Sequence, residues 1–214
     1  MLEREEHRKQ LFHTFFFACF FATVLWIIKF TEIVFQCDLA EWGVYPRQIK
    51  GIAGILFAPL IHSDFNHLFS NTIPILILTS GLFYFYRSIA YPVFFWIYLM
   101  SGIWVWVSAR PAFHIGASGV VYGLVAFLFF SGIIRRHSRL VAFSMLVVFI
   151  YGSLIWGIFP IDIRVSWEYH LLGSIAGVFC AFYFKKIGLQ KEKFEWENVA
   201  EDESQNNINE DVEP

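Results

Sequence analysis

Three groups of residues in this chain have the types and spacing that nucleophilic chemistry needs. The stretch His114-Ile115-Gly116-Ala117-Ser118-Gly119-Val120-Val121-Tyr122-Gly123 sets a serine among small residues, at the mouth of an apolar run that continues to Phe130. Small neighbours at a loop-to-helix junction expose the hydroxyl and let another backbone come close. The second group is His62, His67 and Asn71; the last two are four apart and share one helical face. The third is His170, followed by Gly173 and Gly177. A serine attacks a carbonyl when a base takes its proton, and the resulting oxyanion needs donors. Ser118 and His170 could serve as nucleophile and base. His67, Asn71 and the backbone N–H of Ser118 at a helix N-terminus could be the donors.

The glycines supply a way to assemble the pair. Gly119 and Gly123 form one small-xxx-small face, and Gly173 and Gly177 form another. Packing those faces would bring hydroxyl and imidazole within reach. Tyr122 lies four residues after Ser118, on the same face, where it could stack on His170. The reading is a Ser–His dyad, with no Asp or Glu contributed by the spans and with Tyr122 in the acid's place. Each residue also has a plainer use. A serine between glycines packs membrane helices, and a histidine at a helix end sits at the interface. His114 is read as interfacial; His7, His13 and His137 are read as solvated or headgroup residues. Metal binding by His62, His67 and His170 is set aside, because zinc needs three or four convergent ligands and no HExxH pair is present. No cofactor and no metal are expected.

The elements that would hold these groups are membrane spans. Only 16% of the 214 residues are charged, 57% are hydrophobic, and mean hydropathy is +0.54. A soluble domain carries nearer a quarter charged residues, and here the charges cluster between long apolar runs, as in a polytopic membrane protein. No basic stripe with interleaved aromatics marks a nucleic-acid partner. Cys19, Cys37 and Cys180 are too scattered for a disulfide framework or a zinc knuckle. Cys19 and Cys180 read as small hydrophobes.

The expected architecture is all-α, a six-transmembrane-helix bundle. Residues 1–10 form a polar cytoplasmic N-terminus, 11–187 the membrane domain, and 188–214 an acidic tail read as disordered. The first span covers Leu11–Ile28, read as retained because no small-x-small cleavage site follows it. Residues 29–66 form a long loop, too broken to span and too apolar for water, lying in one leaflet. The later spans cover about His67–Tyr86, Tyr91–Val107, Ser118 to before Arg135, Arg139–Phe159 and Trp167–Phe184. Eleven Lys and Arg fall at one side of this arrangement and five at the other. The positive-inside rule therefore puts both termini in the cytoplasm and all three polar groups near the outer surface.

At these residues the chain resembles the rhomboid family of intramembrane serine proteases. The likeness covers about residues 40–185. His62, His67 and Asn71 match the family's H-x4-H-x3-N pattern. Gly116-Ala117-Ser118-Gly119 matches G-x-S-G, and His170, Gly173 and Gly177 match H-x2-G-x3-G. The resemblance implies that Ser118 is nucleophile and His170 general base, with His67, Asn71 and the Ser118 amide as oxyanion hole. His62 would support the loop, and the fifth span with the loop after it would gate substrate, with Trp156 and Phe159 as gate candidates. Two features depart from the pattern. Trp42 is followed by Gly43 rather than Arg, with Pro46-Arg47 nearby, and no Glu follows Gly81 in the second span.

The expected activity is serine endopeptidase cleavage of transmembrane substrates near the outer end of their span. The alternative is a non-proteolytic relative that binds transmembrane clients. Expected partners are such substrates and the lipid bilayer, with no nucleic acid. The expected location is a bacterial inner membrane, multi-pass.

Overall fold

The structure, a computed structural model, describes residues 2–162 and 165–190. It is built from helices, with one long loop between the first two long ones, and its one β-like pairing among the described residues is an isolated bridge between Val44 and His114. The main elements are α1 (Leu2–Val34), α2 (Gly54–Phe57), α3 (Phe65–Phe85), α4 (Ala90–Ser108), α5 (Ser118–Arg135), α6 (Ser138–Tyr151) and α7 (Trp167–Tyr183). A 3-10 segment, Gly152–Ile158, continues from α6. Five stretches are long and apolar enough to cross a bilayer: Thr14–Val34, α3, α4, α5 and Ser138–Ile158. The sixth expected span, α7, has 17 residues.

Several boundaries differ from the sequence expectation. Residues 2–10 are helical and continue into α1, which also runs on to Val34. Lys29, counted as a loop charge, is therefore a helical residue. It is buried, and its ammonium donates to Glu32 at 2.8 Å and to the carbonyls of His62 and Ser63 at 3.0 Å each. A buried cation is tolerated when its donors are used up in this way. The long loop begins after Val34 and is pinned elsewhere too. Arg47, with a left-handed φ of 58°, donates its backbone N–H to the Trp106 carbonyl and its guanidinium to the Ala109 carbonyl. Cations at a helix C-terminus satisfy its last carbonyls, so Pro46-Arg47 ties the loop to the end of α4. The loop's outer face keeps Trp42, Ile49, Ile52, Leu56 and Phe57 exposed, as a segment lying in a leaflet would.

The fifth expected span does not stay α-helical to Phe159. The α-helix stops at Tyr151 and the chain tightens into the 3-10 segment. His137, read as solvated, is buried and caps α6 by accepting from the Arg139 N–H. Of the expected acidic tail, residues 191–214 lie outside the described residues. Cys180 is fully buried in the core, as read, whereas Cys19 is exposed.

Helix α5 is the central element, packed by α3, α4, α6 and α7. Its contact with α7 depends on glycine. A Cβ at Gly173 would lie 2.1 Å from the Gly119 carbonyl oxygen, and one at Gly177 would lie 2.0 Å from that of Gly123. Lipid tails are as apolar as leucine, so membrane helices associate by close packing rather than by the hydrophobic effect. The two glycine faces allow that approach.

Candidate active site

The close contact of α5 and α7 fixes the two residues at its outer edge. Ser118 is the first residue of α5, and His170 sits in the first turn of α7. Their side chains meet, with Ser118 Oγ 2.9 Å from His170 Nε2. His170 Nδ1 lies 2.9 Å from the carbonyl oxygen of Gly157. A carbonyl only accepts, so Nδ1 carries the proton. The neutral ring then presents Nε2 as a bare lone pair, and the Ser118 hydroxyl donates to it. That tautomer is the one a general base requires.

Tyr122 stacks on the imidazole, with ring centroids 4.1 Å apart and planes 5° from parallel. The ring is thus held on one face by an aromatic and at one edge by a backbone carbonyl. The expectation that no acid stands in the spans is corrected by Glu168, which is buried inside α7 two residues before His170. Its carboxylate lies 3.4 Å from Arg110, while the Nδ1 position is taken by Gly157. The pair is a dyad in geometry, though not for want of a nearby acid.

Gly157 is a residue the sequence reading missed. A Cβ there would lie 1.9 Å from the Tyr122 hydroxyl oxygen and 3.2 Å from His170 Nδ1. The 3-10 segment can therefore reach the imidazole only with glycine at this point. The one sequence signal was a glycine inside an apolar run.

The second polar group converges on the same place. Asp64 caps α3 by accepting from the His67 N–H at 2.9 Å. That bond, with the Ser63 hydroxyl, holds the Asp64 carboxyl below the usual range. His67 directs its ring at Gly116: a Cβ at Gly116 would lie 2.6 Å from His67 Nε2, and its φ of +105° independently favours glycine. The Ser63 hydroxyl touches both Asp64 Oδ2 at 2.7 Å and His67 Nδ1 at 3.2 Å. While that hydroxyl donates to the carboxylate, Nδ1 holds the His67 proton and a neutral ring has no Nε2–H to offer. Turning the hydroxyl toward Nδ1 moves the proton to Nε2. Asn71 is buried and uses one amide hydrogen on the His67 carbonyl at 3.0 Å, leaving its second.

His62 is 1% exposed and accepts the Ala117 N–H at 3.4 Å. Burial, then the neighbouring His67, lowers its pKa to about 3, so it stays neutral and keeps that lone pair. It braces the turn before Ser118 instead of facing the cleft. His114, expected at the interface, is buried. Its backbone pairs with Val44, and its ring bonds the Ser166 hydroxyl and the Arg110 carbonyl. Burial pulls its pKa down. It joins the turn before α5 to the turn before α7.

Ser118, His170, His67, Asn71 and Tyr122 all line one cavity of about 630 Å³, closed on another side by Leu154 and Val165. The sequence-predicted residues that face this cavity are thus brought together. Gly116, Gly119, Gly123, Gly173 and Gly177 form the close-packed backbone behind it.

A helical bundle with a serine–imidazole pair in a polar cleft at one end is the class these observations define. The rhomboid domain profile matches residues 50–187. Uncharacterised proteins of Mycobacterium bovis and Mycobacterium tuberculosis are each 32% identical over 176 residues, covering 76% of this chain and 71% of theirs. An uncharacterised protein of Mycobacterium leprae is 33% identical over 175 residues, covering 76% and 68%. The chain belongs to the rhomboid family and is a multi-pass integral membrane protein.

Proposed function

We propose that this protein is an intramembrane serine endopeptidase. The observation that carries the reading is the bonded chain Gly157 carbonyl, His170 imidazole, Ser118 hydroxyl. As Ser118 Oγ attacks the scissile carbonyl carbon, its proton passes to His170 Nε2. The imidazolium then gives that proton to the leaving amine, and water releases the acyl group by the reverse path. The Ser118 N–H, the free hydrogen of Asn71 and the Nε2–H of His67, present when the Ser63 hydroxyl donates to Nδ1, supply donors for the oxyanion. Substrates are transmembrane proteins cut near the outer end of their span. A helical peptide bond is shielded by its own hydrogen bonds, so segments weakened by Gly or Pro are preferred.

In this reading α7 is the sixth span, shorter than the others because it begins at the level of the cleft. Residues 11–187 are the membrane domain, between a cytoplasmic N-terminus and a cytoplasmic acidic tail, in a bacterial inner membrane. The segment from Gly152 to Phe159 is the gate, with Trp156 and Phe159 on its exposed side.

The test is labelling of purified protein in lipid with a fluorophosphonate, beside Ser118→Ala and His170→Ala. The probe reacts with serines activated by a base. Labelling of wild type that both substitutions remove is the expected result. A folded wild type that takes no label in lipid points instead to a client-binding, non-proteolytic role.

A further inference from the structure

The other end of the bundle holds a second, larger cavity, of about 1270 Å³, lined by the end of α3, the start of α6 and the segment after α7. Its floor is aromatic. Phe143 packs on Phe85 with centroids 4.8 Å apart and fills the space over Gly81. Its third wall is fixed in place. Buried Arg135 donates to the carbonyls of Phe184, Ile187 and Leu189, which turns the chain back across the bundle. Gly188, with a φ of +94°, makes that turn beside Ser88. With its Nε on the Ser131 hydroxyl, Arg135 thereby uses four of its five N–H donors, but Arg87 and Arg139, which line the cavity, have no anionic or carbonyl partner for their guanidiniums among the described residues.

The geometry points to a binding site for an anionic phospholipid, with its phosphodiester between Arg87 and Arg139 and an acyl chain along the seam of α3 and α6. Guanidinium forks match phosphate oxygens. The apolar side of the groove, Tyr84, Phe85, Phe143 and Leu146, lies on helices apolar enough to be membrane spans, where Tyr84 and Leu146 stand exposed. The surrounding leaflet presents lipid there at far higher local concentration than any soluble anion. A basic pocket between span ends is a known form of headgroup recognition. The inference is independent of the protease reading, because it uses no residue of the cleft.

The test is native mass spectrometry of the full chain released from nanodiscs that mix phosphatidylglycerol and phosphatidylcholine with the same acyl chains. Wild type is expected to retain phosphatidylglycerol in preference by roughly ten- to thirty-fold, from about a three- to fivefold factor per arginine. The double substitution Arg87→Gln with Arg139→Gln should lose the preference, while Arg136→Gln, outside the groove, should keep it. Both sets change exposed residues, and an unchanged melting temperature checks the fold. A preference that survives the double substitution, or that excess inorganic phosphate removes, overturns the proposal. So does a preference seen only once the acidic 191–214 segment is cut away, which would assign the groove to that segment.

Discussion

Helices α5 and α6 are neighbours in sequence and in space, yet they are packed very differently. Of the span window in α5, 72% is buried; in the stretch from Ser138 to Ile158 only 17% is. Helix α5 meets α7 backbone to backbone through glycine. In α6 four residues are buried, Leu140, Ser144, Val147 and Tyr151, and in the 3-10 segment none is. The rigid contact sets the distance between Ser118 and His170. The lightly packed one leads into the 3-10 segment, whose Leu154 lines the cleft and which we propose as the gate. A site that needs both fixed geometry and an opening puts the two demands on different helices.

The comparison can be broken most severely at the rigid contact. Ser118→Ala or His170→Ala should cut cleavage of a transmembrane reporter in liposomes by about a thousand-fold or more while leaving the melting temperature near wild type. Gly173→Leu or Gly177→Leu should do similar damage to activity for a different reason. The new side chain meets a backbone carbonyl that cannot move aside, and thermal unfolding in detergent should show a loss of about 3 kcal/mol. Residual activity near wild type in either glycine variant would mean that the α5–α7 approach is not what sets the pair.

On the lightly packed side the expected signature is reversed, with stability kept and rate changed. Gly157→Val pushes on the Tyr122 hydroxyl and the His170 ring. It should slow cleavage by up to about a hundred-fold, the scale of a misplaced catalytic group, with little change in melting. Tyr122→Leu removes the stacked ring and should cost about three- to ten-fold in rate, the worth of an aromatic contact. Trp156→Ala is the mildest: an exposed side chain is lost from the proposed gate, and surface changes are worth within about 0.5 kcal/mol in stability. Its rate should rise by no more than about two- to three-fold, and a fall would argue that Trp156 holds substrate.

Much of the rigid half was legible in the sequence. Gly119, Gly123, Gly173 and Gly177 announced a close helix pair by spacing alone, and Ser118 and His170 were placed at its edge by counting residues. The stack of Tyr122 on His170 was also readable from a four-residue offset. What could not be read was supplied by backbone or by distant chain. The Gly157 carbonyl has no side chain to advertise it. Lys29 looked like a loop charge until α1 proved long enough to bury it. Glu168 was overlooked beside its more conspicuous neighbour His170, and its pairing with Arg110 depends on how two turns meet. The break of α6 into a 3-10 segment after Tyr151 has no proline to mark it; Pro160 comes only after the segment ends.

The carbonyl of Gly157 gives the proposed gate a second job. It belongs to the segment proposed above as the gate, and it is also what keeps the proton on Nδ1 of the imidazole. Opening the proposed gate would therefore unlatch the base. On the proposed protease reading this wiring is an interlock: the pair is armed only when shut, and a substrate that enters must let the segment settle back before the serine can act. Proteins that merely brush the opening would leave uncut, and dwell time, more than sequence at the cut, would decide what is cleaved.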